Sequence, residues 1–122
     1  MRPILSAVLL STLICLGVRT MTAWGHAFPD HSDPKVGSTV SVSPPEARIW
    51  FDSDLEGEFS KIRVENADSK RVDKGDGHVD KSEAKLLEVS LPPLPAGVYR
   101  VIWTAVSRDG HRTEGNYTFT VE

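Results

Sequence analysis

The stretch from Val98 to Val121, VYRVIWTAVSRDGHRTEGNYTFTV, constrains the fold most tightly, because apolar and polar positions alternate along it twice, around one short polar break. In the first run Tyr99, Val101, Trp103 and Ala105 share a face and alternate with Arg100, Thr104 and Ser107, with Val98, Ile102 and Val106 on this second face. In the second run Tyr117, Phe119 and Val121 share a face, opposite Asn116, Thr118 and Thr120. A period of two is the mark of a strand whose side chains leave alternate faces of a sheet. The stretch therefore predicts two long strands of a packed sheet with Trp103 in its core.

The break between these strands holds Asp109-Gly110-His111. In extended backbone, residues two apart leave the same side with Cα atoms roughly 6.6–6.8 Å apart, so one ion can take a carboxylate oxygen and an imidazole nitrogen together. Alone this signal is weak, because Asp-Gly is ordinary turn chemistry and a histidine beside it is usually a solvated loop residue. The other end of the chain strengthens it.

Residues 1–25 have the parts of a secretory signal: Arg2 as the basic n-region, an apolar run from Ile4 to Val18, then Ala23-Trp24-Gly25 with small residues at the positions a signal peptidase reads. The apolar run falls short of the roughly 20 residues a spanning helix needs, which argues against a permanent membrane anchor. Cys15 lies within that run, behind Leu13 and Ile14, where lipidation expects a small residue directly before the cysteine. Cleavage is expected before His26. The mature chain, residues 26–122, then starts with a histidine whose free amine and ring Nδ1 can chelate one metal ion. Together with Asp109 and His111 this offers three nitrogens and one oxygen, a set suited to Cu(II), which favours tetragonal N and O ligands and leads the Irving–Williams order.

With the leader removed, the chain is one small domain without a cysteine, so no disulfide can form and stability rests on packing. Taking the leader's Arg2 and Arg19 from the 14 basic residues leaves 12 against 17 acidic ones, a net charge of −5 with histidines neutral. That balance argues against nucleic acid and anionic membranes as partners and is compatible with cations.

Along the mature chain, Pro29 and Pro34 disfavour a central strand but suit a short edge segment. Strands are expected over Thr39–Ser43, Ala47–Phe51 and Phe59–Glu65, and again through Leu87, Val89 and Leu91 before the proline-rich turn that leads to Val98. Asn66–Lys85 is polar and reads as a solvated hairpin. Its DKGDGHVD run fails the EF-hand template, because Gly75 stands two positions after Asp73 where a ligand belongs. Asp76, His78 and Asp80 form at most an adventitious metal site there, and His31 is expected to face solvent. About seven short strands with turns between them predict an all-β, immunoglobulin-like Greek-key β-sandwich.

With His26, Pro34, Gly37, Val40 and Phe51, then LPPLPAGVYRVIWTAVSRDGH and GNYTFTV, the chain resembles the CopC family of periplasmic copper-binding proteins over nearly its whole mature length. The resemblance implies that Cu(II) is held by the amine and imidazole of His26 together with Asp109 and His111, one ion per mature chain. Some members carry a Met-rich Cu(I) site, but Met1 and Met21 are the only methionines here and both fall in the leader, so no Cu(I) site is expected. Some members also place a Glu near Cu(II) shortly after the Phe51 position. Here that place holds Ser53, and the ligand is not carried over.

The leading expectation is a periplasmic, non-enzymatic copper carrier for homeostasis or resistance, with an inner-membrane copper transporter of the CopD type as partner and no membrane anchor of its own. A copper monooxygenase built on an N-terminal histidine brace is the alternative enzyme. Against it, Asp109 occupies a position that oxygen chemistry needs open, and the domain is small for a polysaccharide. A structural immunoglobulin-like module that binds no metal is the third reading.

Overall fold

The computed structural model describes residues 26–122, and the expected leader lies outside the described residues. Eight strands follow in order: β1 (Pro29–Asp33), β2 (Thr39–Val40), β3 (Glu46–Phe51), β4 (Lys61–Glu65), β5 (His78–Val79), β6 (Leu86–Ser90), β7 (Gly97–Val106) and β8 (Arg112–Val121). They form two four-stranded sheets, β1-β3-β6-β5 and β2-β8-β7-β4. All pairings are antiparallel except β2 with β8, which run parallel. The chain crosses between the sheets several times, which gives the expected Greek-key β-sandwich.

Alternation decides what faces inward. In β3, Ala47, Ile49 and Phe51 are buried between Glu46, Arg48 and Trp50, and in β7 the inward set is Tyr99, Val101, Trp103 and Ala105. Leu87 and Val89 of β6 and Tyr117, Phe119 and Val121 of β8 close the core between the sheets. Phe51 of one sheet meets Trp103 of the other edge to face, with ring centroids 5.1 Å apart. Burial of a large apolar side chain contributes about 1.5–3 kcal/mol, so across residues 26–122, which hold no cysteine, this layer carries the fold. The Tyr99 hydroxyl, taken inside with its ring, donates to the Pro95 carbonyl at 2.6 Å and is thereby satisfied.

β7 and β8 pair residue by residue from Gly97↔Val121 to Val106↔Arg112, which lays Trp103 opposite Gly115. A Cβ at Gly115 would lie 2.6 Å from Trp103 Cζ2, so only glycine leaves room for the indole.

The structure differs from the strand expectations in three places. β2 covers only Thr39–Val40, and Val42 beyond it is exposed. The polar segment contributes a real strand, because β5 pairs with β6 through His78↔Glu88 and Val79↔Leu87, which raises the count to eight. β4 begins at Lys61, short of the expected start at Phe59. β1 is the short edge segment that Pro29 was expected to suit, with a register shift between Pro29 and His31 that accommodates the proline. His31 stacks on Trp50, with centroids 4.5 Å apart, at the outer face of that sheet.

Candidate metal centre

The β7–β8 ladder delivers Asp109 and His111 to the tip of the longest hairpin. Beyond Val106↔Arg112 the Ser107 N–H donates to the His111 carbonyl at 3.0 Å and the Gly110 N–H donates to the Ser107 carbonyl at 2.9 Å. The three residues between are thus a tight turn, and Gly110 takes the left-handed region with φ +87°. Extended backbone was the premise of the spacing argument for Asp109 and His111, and the turn replaces it. The two side chains still meet, with His111 Nδ1 3.0 Å from Asp109 Oδ2.

Ser107 builds the electrostatics of the tip. Its residue is only 2% exposed, and its hydroxyl donates to Asp109 Oδ1, an oxygen that also accepts the His111 backbone N–H at 3.2 Å. Led by the Ser107 hydrogen bond, these donors lower the Asp109 pKa to about 2, so the carboxylate is held ionised. Oδ2 is left for another partner. His111 Nδ1 faces it out of line for a hydrogen bond and is itself buried without any hydrogen-bond partner. An unpaired buried ring nitrogen is costly, and a separation near 3 Å is also what two ligands of one metal ion show when each bond is about 2.0–2.2 Å.

The third expected ligand arrives from the segment before β1, which is pinned at Ala27 and Phe28. Thr113 Oγ1 of β8 donates to the Ala27 carbonyl at 2.6 Å, and Ala27 is fully buried. Phe28 and Asp52 exchange two bonds, from the Phe28 N–H to Asp52 Oδ1 at 2.8 Å and from the Asp52 N–H to the Phe28 carbonyl at 2.9 Å. The His26 ring consequently lies edge-on to the His111 ring, with centroids 4.6 Å apart. In the full-length chain the His26 nitrogen belongs to the Gly25–His26 peptide bond, so the amine donor exists only after cleavage. The three side chains are neighbours without yet being a closed set. Among the described residues, the group whose ligand atoms all lie within 4.8 Å of one another is His78, Asp80 and Glu88.

His31 hydrogen-bonds Asp30 at 2.9 Å beside Trp50 and takes no part in this cluster. Ser53, at the place where the resemblance led one to look for a carboxylate, touches Asp52 at 3.4 Å. The residues that sequence reading missed are Ser107, Thr113 and Asp52, which hold the ligands in place. Ser107, expected on the outer face with Arg100 and Thr104, is instead buried, because the period of two carried on from Ala105 turns it inward. Asp52 and Thr113 carry no local signal, since their partners lie 24 and 86 residues away.

A two-sheet β-sandwich with histidines and a carboxylate gathered at one end belongs to the metal-binding class of such folds. The CopC domain model matches residues 30–122. The chain is 34% identical over 101 residues to "Copper transport protein CutJ" of Bacillus subtilis, covering 82% of this chain but only 19% of that longer protein. It is 32% identical over 129 residues to "Copper resistance protein C" of Escherichia coli, with 98% of each covered. The crystal structure of CopC from Methylosinus trichosporium OB3b superposes with a TM-score of 0.71 at 30% identity, covering 80% of this chain and 94% of that one. The chain belongs to the CopC family, a family of copper-binding carriers rather than enzymes.

Proposed function

We propose that this protein is a periplasmic Cu(II) carrier, which after cleavage before His26 holds one ion through the amine and Nδ1 of His26, the imidazole of His111 and the carboxylate of Asp109. The observation that carries the reading is the buried, unpartnered His111 Nδ1, 3.0 Å from Asp109 Oδ2 and in a ring 4.6 Å from that of His26. Copper is the cargo rather than a resident cofactor. Its chemistry matches the donors, since three nitrogens and an oxygen suit Cu(II) and residues 26–122 contain neither cysteine nor methionine to favour Cu(I).

The names of the relatives support copper as the ion, and the leader-like first 25 residues support export. An inner-membrane transporter of the CopD type is the proposed recipient of the ion; among the described residues, no helix is long and apolar enough to cross a membrane. The test is an intact mass of the exported protein followed by copper titration. A start at His26 with one tightly held Cu(II) is the expected result. A different first residue, or no stoichiometric binding, overturns the reading.

A further inference from the structure

The outer face of the β1-β3-β6-β5 sheet carries a second, unrelated arrangement of ligand-type side chains. Arg48 of β3, Glu88 of β6 and His78 of β5 are direct cross-strand partners, so they stand in one row. Glu88 alternates with the core residues Leu87 and Val89 and therefore points outward, yet it is only 6% exposed because its neighbours cover it. An outward glutamate that is buried must be satisfied by what covers it. Oε1 lies 3.1 Å from His78 Nε2, and Oε2 lies 3.2 Å from Arg48 Nε but in no hydrogen bond.

The tautomer of the neutral histidine is set by its other nitrogen. His78 Nδ1 is 2.7 Å from the Asp76 carbonyl, which can only accept, so Nδ1 carries the proton. In a neutral ring the lone pair then sits on Nε2, aimed at a carboxylate oxygen. Two lone pairs at that distance repel unless a proton or a metal ion lies between them. A backbone carbonyl that fixes one ring nitrogen and turns the other toward an ion is the outer-shell arrangement typical of metal-bound histidines. Asp76 is itself held, because its Oδ1 accepts the Ser90 N–H at 2.8 Å.

Asp80, two residues beyond His78, completes the group, and the ligand atoms of His78, Asp80 and Glu88 all lie within 4.8 Å of one another. Ser82 orients it by donating its N–H at 3.0 Å and its hydroxyl at 2.7 Å to Oδ2. Metal–ligand bonds of about 2.0–2.2 Å set neighbouring ligand atoms roughly 3.0–3.5 Å apart, so the His78–Glu88 pair already has the right spacing and Asp80 needs only a small side-chain movement. Burial first, then the nearby Asp80, pushes the Glu88 carboxyl above its ordinary range, which is the strain a cation would relieve.

We propose that His78 Nε2, Asp80 and Glu88 form a second metal site, independent of the N-terminal one, that takes a borderline divalent cation of the Zn(II) type with water completing its shell. One imidazole and two carboxylates are an N/O set without any soft ligand, so the site selects divalent ions over Cu(I). Arg48 limits its affinity by competing for Glu88, which makes it a weaker site than the terminal chelate.

The experiment is a Zn(II) titration of mature protein preloaded with one equivalent of Cu(II), read by calorimetry and by the imidazole nitrogen resonances of His78. One Zn(II) is expected to bind and shift His78 Nε2. His78→Gln and Glu88→Gln are expected to weaken that step at least tenfold, whereas Asp30→Asn, on the β1 edge strand, leaves it unchanged. A His78 resonance that ignores Zn(II) in the wild type overturns the proposal and assigns the pair to a protonated His78–Glu88 ion pair. So does wild-type Zn(II) affinity in Glu88→Gln. Because unloaded protein is titrated with Cu(II) alongside, failure of the copper reading at His26 is seen separately and leaves this result interpretable.

Discussion

The β7–β8 and β5–β6 hairpins each bring a histidine to about the same distance from a carboxylate, 3.0 Å in His111–Asp109 and 3.1 Å in His78–Glu88, but by opposite means. The first pair sits in a turn beyond the last rung of its ladder. Its geometry depends on the left-handed Gly110, on Ser107 beneath it and on the Ala27–Phe28 segment fastened by Thr113 and Asp52. The second pair consists of direct ladder partners, so strand register alone makes the contact. A site at a hairpin tip can recruit a distant chain terminus and be completed by processing, while a site in the ladder is present as soon as the sheet forms. Copper at the tip is therefore expected to be conditional on maturation, and the ladder pair is not.

Retention of a single residue before His26 breaks this comparison most severely. The terminal amine becomes an amide and the chelate ring is lost, so Cu(II) affinity is expected to fall roughly a hundredfold or more, beyond what loss of an outer-shell partner costs. Competition against a chromophoric chelator measures it. Equal affinities for extended and processed protein would place the ion elsewhere, with the His78 cluster the first place to look.

Substitutions at the tip come next in size. His111→Ala removes a nitrogen donor and is expected to weaken Cu(II) binding more than Asp109→Ala, which leaves three nitrogens, and both should still unfold in one cooperative thermal transition because the core strands are untouched. The reverse order of affinities would make the carboxylate the principal anchor. Gly115→Ala is expected to do the opposite. Its Cβ would meet Trp103 Cζ2 at 2.6 Å, so it should cost about 1–3 kcal/mol by overpacking while a folded fraction still binds copper, as denaturant melts with and without Cu(II) would show.

The smallest effect is a pH dependence. The Asp109 pKa is depressed, to about 2 from an ordinary 3.8, so the folded chain holds this proton more weakly than the unfolded chain. Its contribution to stability is therefore fully present above about pH 4 and is lost as pH falls toward 2. Asp109→Asn should flatten the melting temperature against pH within that window and nowhere above it. An equally steep acid limb in the variant would assign the acid sensitivity to other carboxylates.

The sandwich was legible because its core strands alternate strictly: Tyr99 to Ala105 and Tyr117 to Val121 pack on the faces their period assigns them. Strand edges were less so. Thr39–Ser43 ends early, and His78–Val79 hides in a polar run, since a strand that pairs for two residues leaves little trace in composition. At the site, the residue types at His26, Asp109 and His111 drew attention, and the structure brings their side chains near one another. The assumption of extended backbone there failed because Asp-Gly followed its turn chemistry. The contacts that fasten the N-terminal segment join residues far apart in sequence, which no window of local pattern can register.

His26 and His111 are expected to share one copper ion. Electron paramagnetic resonance of Cu(II) on protein processed to His26 tests this directly, comparing wild type with His111→Ala at one equivalent of copper. A tetragonal signal with three-nitrogen coupling that falls to two nitrogens in the variant is the predicted result, and an unchanged spectrum in His111→Ala would contradict it.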